Sequence, residues 1–413
     1  MPNEIDKEGS SGPRIGLALA GGGPEGAVYE LGVLLALKEA LGGLPLNRLH
    51  VYVGVSSGAF VASCLANGFT VEEMARVLSS SRSAELGRHP FHTELFFMPA
   101  RSEYLRRIGS VPRLVRQALT TYLTRPGDLS ILGSLFQLGQ ALPVGLFDNE
   151  PMRRYLAGLF ADQGGEDDFR RLASRLRIVA ADLDSGEAVV FGREGFDHVP
   201  ISRAVQASTA LPGLYPPVEI DGRWYVDGVL LKTLHASVAL EEGAELLFCV
   251  NPIVPVDTVR AVEDGAMRRG KLVHRGLPTV LSQTFRTLIR SRLGVGMKAY
   301  ETTYPDADVV LLEPHRDDYT MFFTNVFSFS ERRAVLEHAY QQTRADLLRR
   351  SEELAPVLAR HGLTLKLDVL EDPERTPWQR LEPVPVRMVR KPGEKLPEVD
   401  RLDRALERLE GLL

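Results

Sequence analysis

Residues 14–20, RIGLALA, form a short apolar run, the pattern of a strand covered on both faces. The run breaks at Gly21-Gly22-Gly23-Pro24-Glu25-Gly26, and residues 27–41 then carry a helical period through Val28, Leu31, Leu35 and Leu37. A second strand is predicted over 50–55. It leads into Ser56-Ser57-Gly58 and an apolar helix ending near Asn67-Gly68. Thr70-Val71-Glu72-Glu73 has the form of a capping box that opens a further helix. Strand, glycine-rich turn, helix, strand, tight turn, helix is the order of an open sheet, so the predicted fold class is α/β.

From about 81 to 147 that order stops, and a stretch rich in Arg, Leu and Phe predicts helices inserted between sheet elements. Asp148-Asn149-Glu150-Pro151 has the acidic and proline residues of a first helical turn. Residues 177–181 and 188–191 read as strands joined across Asp184-Ser185-Gly186. Residues 201–210 read as a helix stopped by Leu211-Pro212-Gly213, and 218–220 and 224–226 as strands joined by Asp221-Gly222. Residues 245–250 and 308–312 complete the sheet. Beyond about 350 prolines punctuate the chain. Leu402, Leu406, Leu409 and Leu413 then share one face of a short terminal helix, read either as docked on its own domain or as a homo-oligomer contact. The predicted organisation is a flexible start at 1–13, one sheet domain over 14–350 with its insertion at about 81–147, and an extension over 351–413.

Composition narrows the class. The 413 residues are 44% hydrophobic and 25% charged, ordinary for a globular chain with a large core. A net charge of -5 argues against nucleic acid as a partner. Cys64 and Cys249 lie in apolar stretches and read as buried thiols in a reducing compartment. The polar first fourteen residues lack the layout of a secretory signal. Two uncharged stretches, 49–71 and 129–147, are broken by Gly, Ser, Gln or Pro and read as strand–turn–helix and as an interfacial or buried segment, not as membrane spans. A cytoplasmic protein, peripheral to a membrane at most, is the expectation.

The candidate chemistry begins at Gly54-Val55-Ser56-Ser57-Gly58, a G-x-S-x-G match where a strand hands over to a helix. Small residues there permit the sharp turn that holds a nucleophilic hydroxyl clear of the backbone, although a Ser-capped helix start has the same letters. Gly21, Gly22, Gly23 and Gly26 end the preceding strand and open a helix, where backbone N–H groups and the positive helix end suit an oxyanion. The same glycines satisfy a dinucleotide fingerprint, but that fold wants a carboxylate after the second strand, and here the chain reads Val53-Gly54-Val55-Ser56. A base is offered by Asp227, at the end of the apolar strand Trp224-Tyr225-Val226 and followed by Gly228. An apolar surrounding would raise its pKa into a useful range. None of the histidines after Asp227 (His235, His274, His315, His338 and His361) has a strand-end context.

Together these residues resemble the patatin-like phospholipases: the Gly21–Gly26 loop, Gly54-Val55-Ser56-Ser57-Gly58 and Asp227-Gly228, in that order. Ala207-Ser208-Thr209-Ala210-Leu211-Pro212-Gly213 and Tyr215-Pro216-Pro217 are similar to the stretch leading into that family's catalytic aspartate. The resemblance covers residues 14–314. It implies a three-layer α/β/α sheet, a Ser56–Asp227 dyad without histidine, metal or cofactor, an oxyanion site at the glycine loop, and hydrolysis of fatty acyl esters of phospholipids or neutral glycerolipids. Two positions depart from the family pattern. Glu25 stands where Arg or Lys is usual and Val229 where a small residue is usual, which leaves a catalytically impaired membrane- or partner-binding protein as the alternative. Glu25 itself reads as a helix-dipole partner pointing into solvent.

Charge is unevenly spread. Arg101, Arg106, Arg107, Arg113, Arg116 and Arg125 face only Glu103 within 101–125, and residues 260–300 hold nine Lys and Arg against Glu263 and Asp264. Both segments are candidates for peripheral contact with an anionic membrane surface, with internal pairing as the competing reading. Met321-Phe322-Phe323, Phe327 and Phe329 are candidates for an acyl pocket or for core.

Overall fold

The two apolar runs nearest the N-terminus become parallel neighbours in the middle of a mixed sheet. The computed structural model describes residues 12–79, 84–86, 89–91, 93–124, 142–162, 165–263, 271–274, 276–315, 318 and 329–381. The sheet strands are β1 (Ile15–Leu19), β2 (Val51–Val55), β3 (Arg175–Asp182), β4 (Ala188–Phe191), β5 (Val218–Ile220), β6 (Arg223–Asp227), β7 (Leu246–Val250) and β8 (Asp308–Leu312). Their order is β5-β6-β3-β2-β1-β7-β8, with β4 also paired to β3. Neighbours from β3 through β8 are parallel, whereas β4, β5 and β6 are added antiparallel.

Every residue of β1, β2 and β7 is buried, so both faces of the sheet must be covered. The helices that cover it include α1 (Gly23–Ala40), α2 (Ser57–Ala66) and α3 (Val71–Leu78), then, after α4 (Arg101–Thr124) of the insertion, α5 (Glu150–Asp162), α6 (Ile201–Ser208), α7 (Ala236–Glu241), α8 (Leu277–Thr303) and α9 (Phe329–Arg349). Strand alternation divides the core in two. Leu17, Leu19, Tyr52 and Phe248 join one cluster with α1, α2, α6 and α9. Ala18, Val51, Val53, Val55 and Cys249 join a second with α7 and the last turns of α8. These are the three layers expected. Cys64 and Cys249 are free and buried, and no described helix is long and apolar enough to cross a membrane.

The predicted capping box is present: the Glu73 amide donates to Thr70 Oγ1 at 3.2 Å, and the Thr70 amide donates to Glu73 Oε2 at 2.8 Å. The insertion is less purely helical than its composition predicts. Ala84–Leu86 pairs with His89–Phe91, and Met98–Pro99 pairs with Phe147–Asp148. The second pairing has a plain cause: chain leaving and re-entering at one place brings two extended ends together. Arg125, residues 129–141, Met321-Phe322-Phe323, Phe327 and the terminal helix near 402–413 lie outside the described residues.

Neither α8 nor α9 was predicted. Helix α9 lies so close to α1 that a Cβ on Gly32 would sit 2.5 Å from the Leu336 carbonyl oxygen. The chain then returns to the end of α1: Thr364–Leu365 pairs with Leu41–Gly42, and Arg375 Nε donates to Glu39 Oε2 at 2.6 Å. Gly32→Ala is expected to lower unfolding free energy by about 1–3 kcal/mol through overpacking. Urea denaturation measures this, and an unchanged midpoint would contradict the contact.

Candidate active site

The site is made where two strands run out. Strand β3 pairs along one edge with β4, through residues 178–181. Its other edge is shared: β2 runs parallel along 175–179, and β6 runs antiparallel along 180–182. Val55 is therefore opposite Val179 and Asp227 opposite Ala180, so the C-terminal ends of β2 and β6 meet head-on.

Ser56 follows Val55 at once and adopts φ 53°, ψ −121° before α2 begins. A left-handed φ at a non-glycine residue costs about 1–3 kcal/mol and needs support from its surroundings. One support is Gly58, where a Cβ would lie 2.5 Å from the Leu19 carbonyl oxygen, so α2 can start directly against β1. The other is Ser208. Its hydroxyl donates to the Val179 carbonyl oxygen at 2.6 Å and accepts from the Ser56 amide at 2.9 Å. Val179 is the last residue of β3 that β2 covers, so Ser208 bridges the break in the ladder and fixes the Ser56 backbone there. In the sequence Ser208 stands out only as part of the stretch Ala207–Gly213 that resembles the family's approach to its aspartate, with no role of its own.

Asp227 is 2% exposed, accepts from the Val229 amide at 2.9 Å and has the Ser56 hydroxyl beside it. Burial pushes its carboxyl up to about 7, against the opposing pull of the Val229 and Ser56 hydrogen-bond donors. His235 is also buried, but its ring faces the Gly228 carbonyl oxygen, and burial lowers its pKa to about 4. It is a neutral packing residue at pH 7. Among the described residues there is no group of three or more His, Cys, Asp or Glu that could hold a metal.

The glycine loop passes against this pair. A Cβ on Gly21 would lie 3.0 Å from Ser56 Cβ and 3.1 Å from Val229 Cγ2, so only glycine fits without displacing one of them. The four loop glycines differ in what their amides can do. The Gly26 amide donates to the Gly22 carbonyl oxygen at 3.0 Å, because the helix begins at Gly23 and not near Ala27; that donor is spent. The Gly21 amide makes a long contact of 3.4 Å with the Thr233 carbonyl oxygen. Gly22 and Gly23 lie at the positive end of α1, where the first amides of a helix have no acceptor within it.

Glu25 does not point into solvent. Its Oε1 is buried without a hydrogen-bond partner, and burial raises its pKa to about 7, with Arg286 of α8 opposing and Asp318 and Glu331 adding. The basic segments are likewise partly internal. Arg106 and Arg107 both pair with buried Glu103, Arg286 donates to the Val254 carbonyl oxygen at 3.2 Å, and Arg290 pairs with Glu313.

Residues 17–240 match the patatin-like phospholipase family. An uncharacterized NTE family protein of Mycobacterium tuberculosis is 27% identical over 241 residues, which make up 58% of this chain and 30% of that protein. A second uncharacterized NTE family protein of the same species is 37% identical over 73 residues, 18% of this chain and 19% of that one. The alignment with the first relative thus spans about 30% of that protein's length. Among solved structures, VipD from Legionella pneumophila aligns over 80% of this chain and 66% of its own, at 15% identity and a TM-score of 0.35.

Two outcomes are expected from substitutions here. Ser208→Ala leaves the Ser56 amide and the Val179 carbonyl short of a partner inside the protein, and stability should fall by about 1–3 kcal/mol in chemical denaturation; no change would mean that the bridge is idle. Asp227 responds to pH. Because its pKa is raised in the fold from 3.8 to about 7, its favourable contribution is complete below 3.8 and is lost as pH rises through about 7. Asp227→Asn should match the wild type near pH 4 and exceed it above about pH 7 by as much as about 4 kcal/mol. Parallel pH dependence of the two proteins would contradict the shift.

Proposed function

The chain belongs to the patatin-like phospholipase family, and from that premise we propose that it hydrolyses acyl ester bonds of lipids with Ser56 as nucleophile and Asp227 as base. The observation that carries this reading is the head-on meeting of β2 and β6, which sets a strained serine against a buried carboxylate whose pKa lies near 7.

The chemistry follows from those groups. Ionised Asp227 accepts the Ser56 proton as Oγ bonds to the acyl carbonyl carbon, and the carbonyl electron pair moves onto its oxygen. The amides of Gly22 and Gly23 receive that oxyanion, a stabilisation worth about 3–4 kcal/mol per donor in comparable sites. The tetrahedral intermediate collapses, and protonated Asp227 gives its proton to the departing alcohol. Water then attacks the acyl-serine with Asp227 again as proton acceptor, and the fatty acid leaves as Ser56 regains its proton. A carboxyl group poised near pH 7 can both take and return a proton in this cycle.

The alternative of an impaired binding protein rested on Val229 and Glu25. Val229 serves Asp227 through its backbone amide, a contact that any non-proline residue supplies. Burial favours the neutral form of Glu25, and the Arg286 charge opposes it; a neutral carboxyl repels a developing oxyanion less, and an anionic one has that cation nearby. Both observations favour the enzyme.

Hydrolysis of p-nitrophenyl butyrate and of phospholipid micelles by wild type, Ser56→Ala and Asp227→Asn tests the proposal. Each variant should lose at least about a thousandfold in kcat. The wild-type rate should rise with pH and level off above about 7 as Asp227 ionises. Equal hydrolysis by wild type and Ser56→Ala overturns the assignment.

A further inference from the structure

Helix α8 is amphipathic the wrong way round along its first four turns. Its inward stripe there is polar: Gln283 bonds the Val256 backbone through both its oxygen and its nitrogen, Arg286 bonds the Val254 carbonyl oxygen, and Arg290 pairs with Glu313. Its outward stripe is apolar. Leu277, Leu281, Phe285 and Leu288 fall on one face and are exposed by 69%, 47%, 47% and 57%, and Val295 continues the line at 71%. The last turns revert to the usual sense, with Leu293 and Tyr300 buried in the core. The outward register is therefore fixed by the inward contacts of both halves and is not a rotation the helix could relax.

This helix holds the loops beside the dyad. Arg292 donates to the carbonyl oxygens of Leu230 and Leu231, in the turn that follows Asp227. Gln283 and Arg286 hold residues 254–256, in the loop whose Pro252 lies against Gly22 and Gly26. From Leu277 to Tyr300 the helix has no acidic residue, while Arg292 and Lys298 are exposed. An apolar stripe flanked by cations beside an ester-cleaving centre matches the layered chemistry of a bilayer surface, hydrocarbon below and phosphate above.

We propose that the outward face of α8, centred on Leu281, Phe285 and Leu288, seats the protein on a lipid bilayer beside the active site. The choice of a lipid over a protein surface rests on the acyl-hydrolase reading. The contact is chiefly apolar, so it differs from docking through the basic segments as such; Arg286 and Arg290 are turned inward and take no part in it.

The test uses the full chain carrying Ser56→Ala, so that binding is read without hydrolysis. It should co-float with vesicles of phosphatidylcholine mixed equally with phosphatidylglycerol. Adding Leu281→Glu and Leu288→Glu should cut the bound fraction by at least about tenfold, given what burying two leucines contributes. In the active background the same pair should leave hydrolysis of soluble p-nitrophenyl butyrate unchanged, which also reports intact folding. A separate Leu288→Trp variant should shift its fluorescence to the blue on vesicles. Three results overturn the proposal: no flotation of the parent, unchanged flotation of the double variant, or a concentration-dependent dimer that the double variant disperses without any vesicle binding. Flotation lost in the double variant supports docking even if Ser56 proves not to be the nucleophile, so the two readings fail separately.

Discussion

A carboxylate held away from water beside a serine hydroxyl is the constraint around which the rest of this structure is arranged. Asp227 is placed by the edge of β3, where β6 ends opposite Ala180, one residue beyond the point where β2 ends opposite Val179. The long central strand thus acts as a ruler for both groups. The helix starts, the glycine loop and the Ser208 bridge all pack around the gap between the two strand ends and leave Asp227 2% exposed. A dry carboxyl is less stable as an anion, and burial moves its proton affinity toward neutral pH.

The strain is local and its supports are identifiable. Ser56 sits in a left-handed conformation, and the Ser208 hydroxyl satisfies both its amide and the strand carbonyl stranded by the break. Gly21 and Gly58 remove the side chains that would otherwise push the loop and α2 away from β1 and Ser56. Each of these positions leaves more conformational freedom to the unfolded chain, and the doubly buried strands β1, β2 and β7 supply the apolar burial that offsets it.

Much of this was legible in the sequence because it depends on local pattern. Apolar runs bounded by glycine gave β1 and β2 to within a residue or two, and the turn Asp221-Gly222 between short runs located the hairpin that ends at Asp227. Features that depend on contacts distant in the chain were not legible. Ser208 reads as one more small residue in a helix, and its role follows only from the place where two other strands stop. The apolar period begins near Ala27 and so leaves the Gly26 amide as a free donor, whereas the helix, with Pro24 in its first turn, starts at Gly23. Helix α8 was read for charge alone. Its spacing of Leu281, Leu288 and Val295 at seven-residue intervals was the available signal, but nothing local says that this face points outward.

The central claim is that Asp227 changes its protonation state close to neutral pH. Infrared difference spectra between wild type and Asp227→Asn, recorded across a pH titration, observe that carboxyl directly. The account predicts a protonated-acid band that disappears with a midpoint near 7. A band already lost by about pH 4, the ordinary range of an aspartate, would contradict it.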